Sequence, residues 1–172
     1  MRVLGIDPGS RCMGVGVVER AGTRLVYVTA ETIKAPQKAS LDRRLLLMYQ
    51  GLTRIIAATE PDEVAVEDLF FAKHVTGALK LAQARGVALL AGAEAGLPVA
   101  SYAPALVKRT VAGRGRSDKS QVARLVGAIL GLTELPGEDA TDALAIAITH
   151  AQATRSALPI PGTRPKKKLS RR

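Results

Sequence analysis

Four carboxylates stand at the ends of apolar segments. Asp7 closes the run Arg-Val-Leu-Gly-Ile-Asp at residues 2 to 7, and Glu67 closes Glu-Val-Ala-Val-Glu at 63 to 67. Asp139 and Asp142 are three residues apart, which places them on one face of a helix, and the stretch Ala143 to Ile148 that follows is uniformly apolar. Acids drawn from three separate elements could converge. Like charges a few ångströms apart repel strongly when partly buried, so such a cluster needs cations. Hard divalent ions such as Mg2+ take oxygen ligands and keep several waters. Two of them about 3.5–4 Å apart could activate a water and stabilise the leaving oxygen in phosphodiester cleavage, which is nuclease chemistry. Each acid taken alone has a plainer reading, as a strand-ending turn residue or, for Asp139, a helix cap. Asp68 would point to the opposite sheet face from Glu67 and reads as structural.

The elements that must position these acids follow from hydrophobic periodicity. Residues 2 to 7, Met13 to Glu19 and Arg24 to Ile33 are β-prone runs separated by Asp7-Pro8-Gly9-Ser10 and Arg20-Ala21-Gly22-Thr23, so the chain opens as an antiparallel meander. A helical period then takes over. With Ser40 as cap, Leu45, Met48, Leu52, Ile55 and Ile56 form one face until Glu60-Pro61, and Arg43, Arg44 and Arg54 fall on the wet side. Residues 63 to 67 make a fourth strand. A helix from about Thr76 to Ala95 is apolar almost all round, which predicts burial or an oligomer interface. A strand at Val99 to Tyr102 and helices at 104 to 112, 118 to 131 and 139 to 154 complete a mixed α/β sheet with helices on its faces.

The 172 residues (18.1 kDa), 47% hydrophobic and 23% charged, suit one globular domain and exclude global disorder. Net charge is +10, which points to a polyanion or an acidic surface. Seven basic residues and no acid follow Thr154, so residues 1–157 read as the domain and 158–172, rich in proline and lysine, as a flexible basic tail. A second basic segment carries Lys108, Arg109, Arg114, Arg116, Lys119 and Arg124 against Asp118 alone between 104 and 124. A solvated helix face is its plain reading. Gly113 and Gly115, entering a helix at Ser117 or Asp118, favour backbone N–H groups aimed at phosphate, although the spacing is not that of a P-loop. Phe70 and Phe71, the two phenylalanines of the chain, are adjacent, and adjacent side chains rarely share a face. At least one could stack on an unpaired base beside Glu67. His74 and His150 lack partners at zinc spacing and read as structural or surface residues. Cys12 is the lone cysteine. No signal peptide or membrane span is visible, so a cytoplasmic protein with no membrane contact is expected.

Gly5-Ile6-Asp7-Pro8-Gly9-Ser10, Ala65-Val66-Glu67, Ala82-Gln83-Ala84-Arg85-Gly86 and Asp139-Ala140-Thr141-Asp142-Ala143-Leu144-Ala145-Ile146-Ala147-Ile148 together resemble the RuvC family of bacterial Holliday-junction endonucleases, from residue 2 to about 150. The resemblance implies a ribonuclease H-like mixed five-stranded sheet with helices on both faces. It also implies a homodimer and paired symmetric nicking of four-way junction DNA during recombination and repair. Asp7, Glu67, Asp139 and Asp142 fall on that family's metal-binding carboxylates, implying two Mg2+ per active site, with Mn2+ able to substitute. Lys108 and Lys119 match lysines near the scissile backbone, and Phe70 matches an aromatic that meets junction bases. Phe71 and the tail match less well. Partnership with the branch-migration proteins RuvA and RuvB is implied as well. Two rival readings are an RNA-processing nuclease of the RuvX type and a nucleotide-binding protein of the actin-like fold. The latter is suggested by Asp7-Pro8-Gly9 through Gly14, but it needs a second lobe and a second phosphate loop.

Overall fold

Alternation along the first strand buries both of its sides. The computed structural model describes residues 1–68, 75–113 and 118–156. Strands β1 (Arg2–Asp7), β2 (Cys12–Ala21) and β3 (Arg24–Lys34) form the antiparallel meander, turned tightly at Gly22 with φ 64°. Helix α1 (Leu41–Thr59) returns the chain to β4 (Glu63–Glu67), parallel to β1. Helix α2 (Val75–Glu94) leads to β5 (Val99–Tyr102), parallel to β4. Helices α3 (Pro104–Ala112), α4 (Lys119–Leu130) and α5 (Glu138–Ser156) follow. The sheet order is β3-β2-β1-β4-β5, the mixed five-stranded arrangement anticipated from the sequence.

One face packs Leu4, Ile6, Val15, Val17, Val64 and Val66 against Met48, Leu52 and Ile55 of α1 and the alanines of α2. The other packs Val3, Val18 and Ala65 against α3, α4 and α5, where Leu144, Ile146 and Ile148 are fully buried. Each of those side chains contributes about 1.5–3 kcal/mol on burial. Helix α5 comes unusually close to β1 and β2 because Gly5, Gly14 and Gly16 lie beneath it. A Cβ on Gly5 would overlap the Ala143 carbonyl, and one on Gly14 would overlap the Asp139 carbonyl. The acids of α5 are thereby pressed onto the end of β1.

Two expectations need correction. Ser40 occupies the N-cap position of α1 but makes no capping bond to the helix, its side chain bonding instead to Asp42. Arg44 is not on the wet side: it is half-buried, and its guanidinium donates to the Ser10 carbonyl at 3.2 Å, tying α1 to the loop after Asp7. Helix α2, expected to be buried or at an oligomer interface, packs Ala84, Ala88 and Ala91 inward while Leu79 and Leu90 are each 60% exposed. Its uniform apolarity thus reflects two different surfaces. No described helix is long and apolar enough to cross a membrane.

Candidate active site

Parallel strands end together, so Asp7 at the end of β1 and Glu67 at the end of β4 emerge side by side, on the face covered by α5. Asp142, one turn into α5, meets them from above. The three acids line one recess of about 240 Å3 together with Lys108 of α3 and Lys119 of α4, over a floor of Val107, Val122 and Ala145. Lys119 Nζ lies 2.8 Å from Glu138 and 3.3 Å from Asp142. A larger recess of about 940 Å3 lies among the β2–β3 turn and the ends of α4 and α5. Arg20, Arg24 and Leu25 help line it, and no acid is among its described lining residues.

The electrostatics mark the small recess as the strained one. Burial, then the charges of Asp142 and Asp139, push the Asp7 carboxyl up to about 6. Burial, then the charges of Asp7 and Asp142, push Glu67 up to about 7. Asp142 is also raised, burial outweighing the opposing pull of Lys119. Lys119 itself is raised, chiefly by its hydrogen bond to Glu138, so it is a fixed cation at neutral pH. Asp139, in the first turn of α5, is no cap. It acts on Asp7 through its charge but does not line the recess. Arg109 is exposed and outside the recess.

The donor set is all oxygen, partly buried and mutually repelling, which fits a hard divalent cation in charge and ligand type. Among the described residues, no three acid, His or Cys side chains stand as a ready-made cage. The site therefore offers converging donors rather than a preformed coordination sphere.

Other predicted residues fare differently. Phe70, Phe71, His74, Arg114, Arg116 and the segment 158–172 lie outside the described residues. The expectation that the start of α4 aims free N–H groups at phosphate is corrected. Asp118 is its N-cap, accepts from Gln121 N at 2.8 Å and brings its own negative charge to that terminus. Asp68 does turn to the other face, where Arg85 of α2 lies 3.2 Å from it and also donates to Ser101 at 2.7 Å. This clamp at the end of β4 was missed from the sequence, although Arg85 lies within a motif already noted. His150 is structural: it is buried, with Tyr102 Oη 2.7 Å from Nδ1 and Glu63 against Nε2.

The family model of the crossover junction endodeoxyribonuclease RuvC matches residues 3–150. The chain belongs to the RuvC family. It is 49% identical over 151 residues to the RuvC of Azorhizobium caulinodans, covering 88% of this chain and 89% of that one. With the RuvC of Pelobacter propionicus it shares 50% over 150 residues, covering 87% and 85%. The structure of Thermus thermophilus RuvC in complex with Holliday junction substrate superposes with a TM-score of 0.85 at 38% identity, covering 90% of this chain and 95% of that one. A yeast mitochondrial Holliday junction resolvase, 13% identical with a TM-score of 0.64, shares the fold. Membership of the RuvC family favours neither the RNA-processing nor the nucleotide-binding reading.

Proposed function

We infer that the chain is a crossover junction endodeoxyribonuclease that resolves four-way DNA junctions by hydrolysing phosphodiester bonds in the recess of Asp7, Glu67 and Asp142. The observation that carries this reading is the conjunction of three proton-hungry carboxylates and two lysines in one recess, in a chain of the RuvC family. Asp7, Glu67 and Asp142, with Asp139 beside them, would hold Mg2+, two ions per site, with Mn2+ as a substitute. When bound, such ions activate water and stabilise a leaving oxygen. Lys119, held by Glu138 and Asp142, serves as a positive charge beside the scissile phosphate rather than as a base. Lys108 supplies a second charge from α3.

Two opposed cuts in a near two-fold junction need two sites, which calls for a C2 homodimer. The exposed Leu79 and Leu90 of α2 are in keeping with an interface there. The same reading gives Phe70, with Phe71 beside it, a base-stacking role, and Arg109, Arg114 and Arg116 phosphate contacts. Residues 1–157 act as the nuclease domain and 158–172 add sequence-independent attraction to DNA. The wider setting is cytoplasmic, with RuvA and RuvB as partners.

The test uses a synthetic four-way junction, a duplex and an RNA–DNA hybrid, each with and without Mg2+. Paired nicks in the junction alone, dependent on the ion, are expected. Asp7→Asn should bind the junction normally and fail to nick it. Preferential cutting of the hybrid, or full activity of Asp7→Asn, would overturn the assignment.

A further inference from the structure

The strand topology brings a second group of cations to the same end of the sheet as the carboxylates, on the β3 side, whereas Lys108 lies on α3, which follows β5 at the opposite edge of the sheet. β3 runs antiparallel to β2, so its last residue, Lys34, pairs with Cys12 at the end where β1 finishes in Asp7. Arg11 precedes Cys12, and its carbonyl accepts from Ala35 N at 3.0 Å, joining the Asp7 loop to the segment after β3. Lys38 lies in that segment, and Arg43 in the first turn of α1. Arg44 locks the arrangement by donating to Ser10. Arg11, Lys34, Lys38 and Arg43 are all exposed.

Their pairing sets them apart from several other cations of the molecule. Arg2 is paired with Glu19, Arg54 with Glu31 and Arg85 with Asp68. Among the described residues, Arg11, Lys34, Lys38 and Arg43 form no ion pair; Glu31, three residues before Lys34, is paired with Arg54, and the exposed Asp42 stands beside Arg43. Their charge is left open to a partner outside the chain. Lys34 is two strands from β1, about 10 Å at ordinary strand spacing. That is roughly three nucleotides at about 3.4 Å of axial rise per phosphate on one strand.

We propose that Arg11, Lys34, Lys38 and Arg43 form a phosphate track that holds the cut DNA strand on the β3 side of the scissile bond, opposite the charge that Lys108 supplies from α3. This rests on the nuclease reading and adds the path of the substrate. The two flanks bracket the acids, so the phosphodiester is held from both sides. Without the second flank, only one side of the scissile bond would be positioned.

The experiment compares the full-length chain with its Arg11→Gln/Lys34→Gln double variant, using Arg24→Gln as the control. Arg24 is exposed at the far end of β3. Junction affinity is measured against salt and against single phosphate ethylations along the cut strand. In the wild type, ethylation on both sides of the cut should weaken binding. In the double variant the penalty should vanish on one side only, and the slope of log affinity against log salt should flatten by about 0.9–1.8. Arg24→Gln should keep the wild-type ethylation pattern. An unchanged slope and ethylation pattern in a double variant of normal melting temperature would overturn the track while leaving the nuclease assignment intact. A wild type that neither binds nor nicks the junction would instead sink the assignment beneath it.

Discussion

Glu63 and Glu67 are the two ends of one five-residue strand, and both side chains face α5, since four residues along a strand return to the same side. Their surroundings are opposite. Glu63 meets Nε2 of the buried His150, whose Nδ1 is met by the Tyr102 hydroxyl. A neutral imidazole protonated on Nε2 satisfies all three groups, donating to Glu63 and accepting from Tyr102. Glu67 accepts no hydrogen bond from the described residues, and burial, then the charges of Asp7 and Asp142, hold its proton up to about pH 7. Burial of a glutamate on this face is therefore not in itself a functional sign. The sign is a carboxylate whose repulsion the chain leaves unresolved, which only a ligand from outside can relieve.

The largest expected effect separates the two glutamates by activity. Glu67→Gln should lower the junction nicking rate by roughly a hundredfold or more with little change in junction affinity. Glu63→Gln should nick within about twofold of wild type, because hydrogen bonding to His150 survives the change. Equal losses in the two variants would erase the distinction.

A smaller effect concerns stability. In metal-free protein the folded carboxyls of Asp7 and Glu67 titrate near 6 and 7, above their ordinary values, so the folded state binds more protons than the unfolded state between about pH 4 and pH 7. Stability must then fall as pH rises through that window. Glu67→Gln removes its share of the penalty and should melt roughly 3–8 °C above wild type at pH 8, with the gap closing toward pH 4. Adding Mg2+ at pH 8 should raise the wild type toward the variant. A gap independent of pH would mean that Glu67 is not the strained group. The smallest effect is at Tyr102→Phe, which removes the hydroxyl at His150 and should cost about 0.5–1.5 kcal/mol of stability by denaturant melt. Nicking by that variant should be unchanged.

The strands and helices were legible because their periods are strong: alternation from residue 2 to 33, three-to-four spacing in α1, and turn residues at 60–61 and 135–137. The acids were legible for the same reason, since Asp7 and Glu67 sit where apolar strands stop. What escaped the sequence depended on contacts across the fold. Arg44 looked solvent-facing by helical phase, but the Ser10 carbonyl lies within its reach. Asp139 and Asp142 looked equivalent by spacing, yet only Asp142 lines the recess, because the Asp139 backbone is seated on Gly14. His150 looked isolated because Glu63 is 87 residues away. The Asp118 cap was readable in principle, an Asp before an apolar-periodic run, but the basic residues around it suggested an open anion site instead.

The glycines under α5 also bear on the mechanics of the site. Where side chains fill the gap between a helix and a sheet, rotamer changes can alter the spacing; at Gly5 and Gly14 backbone rests against backbone. The distance between the backbones carrying Asp7 and Asp142 is set by atoms that have no softer conformation to adopt. Heating or compression should accordingly change this spacing less than it changes the spacing to Lys108 and Lys119, whose helices pack through Val107, Val111, Val122 and Val126. One wall of the recess is stiff and the opposite wall compliant.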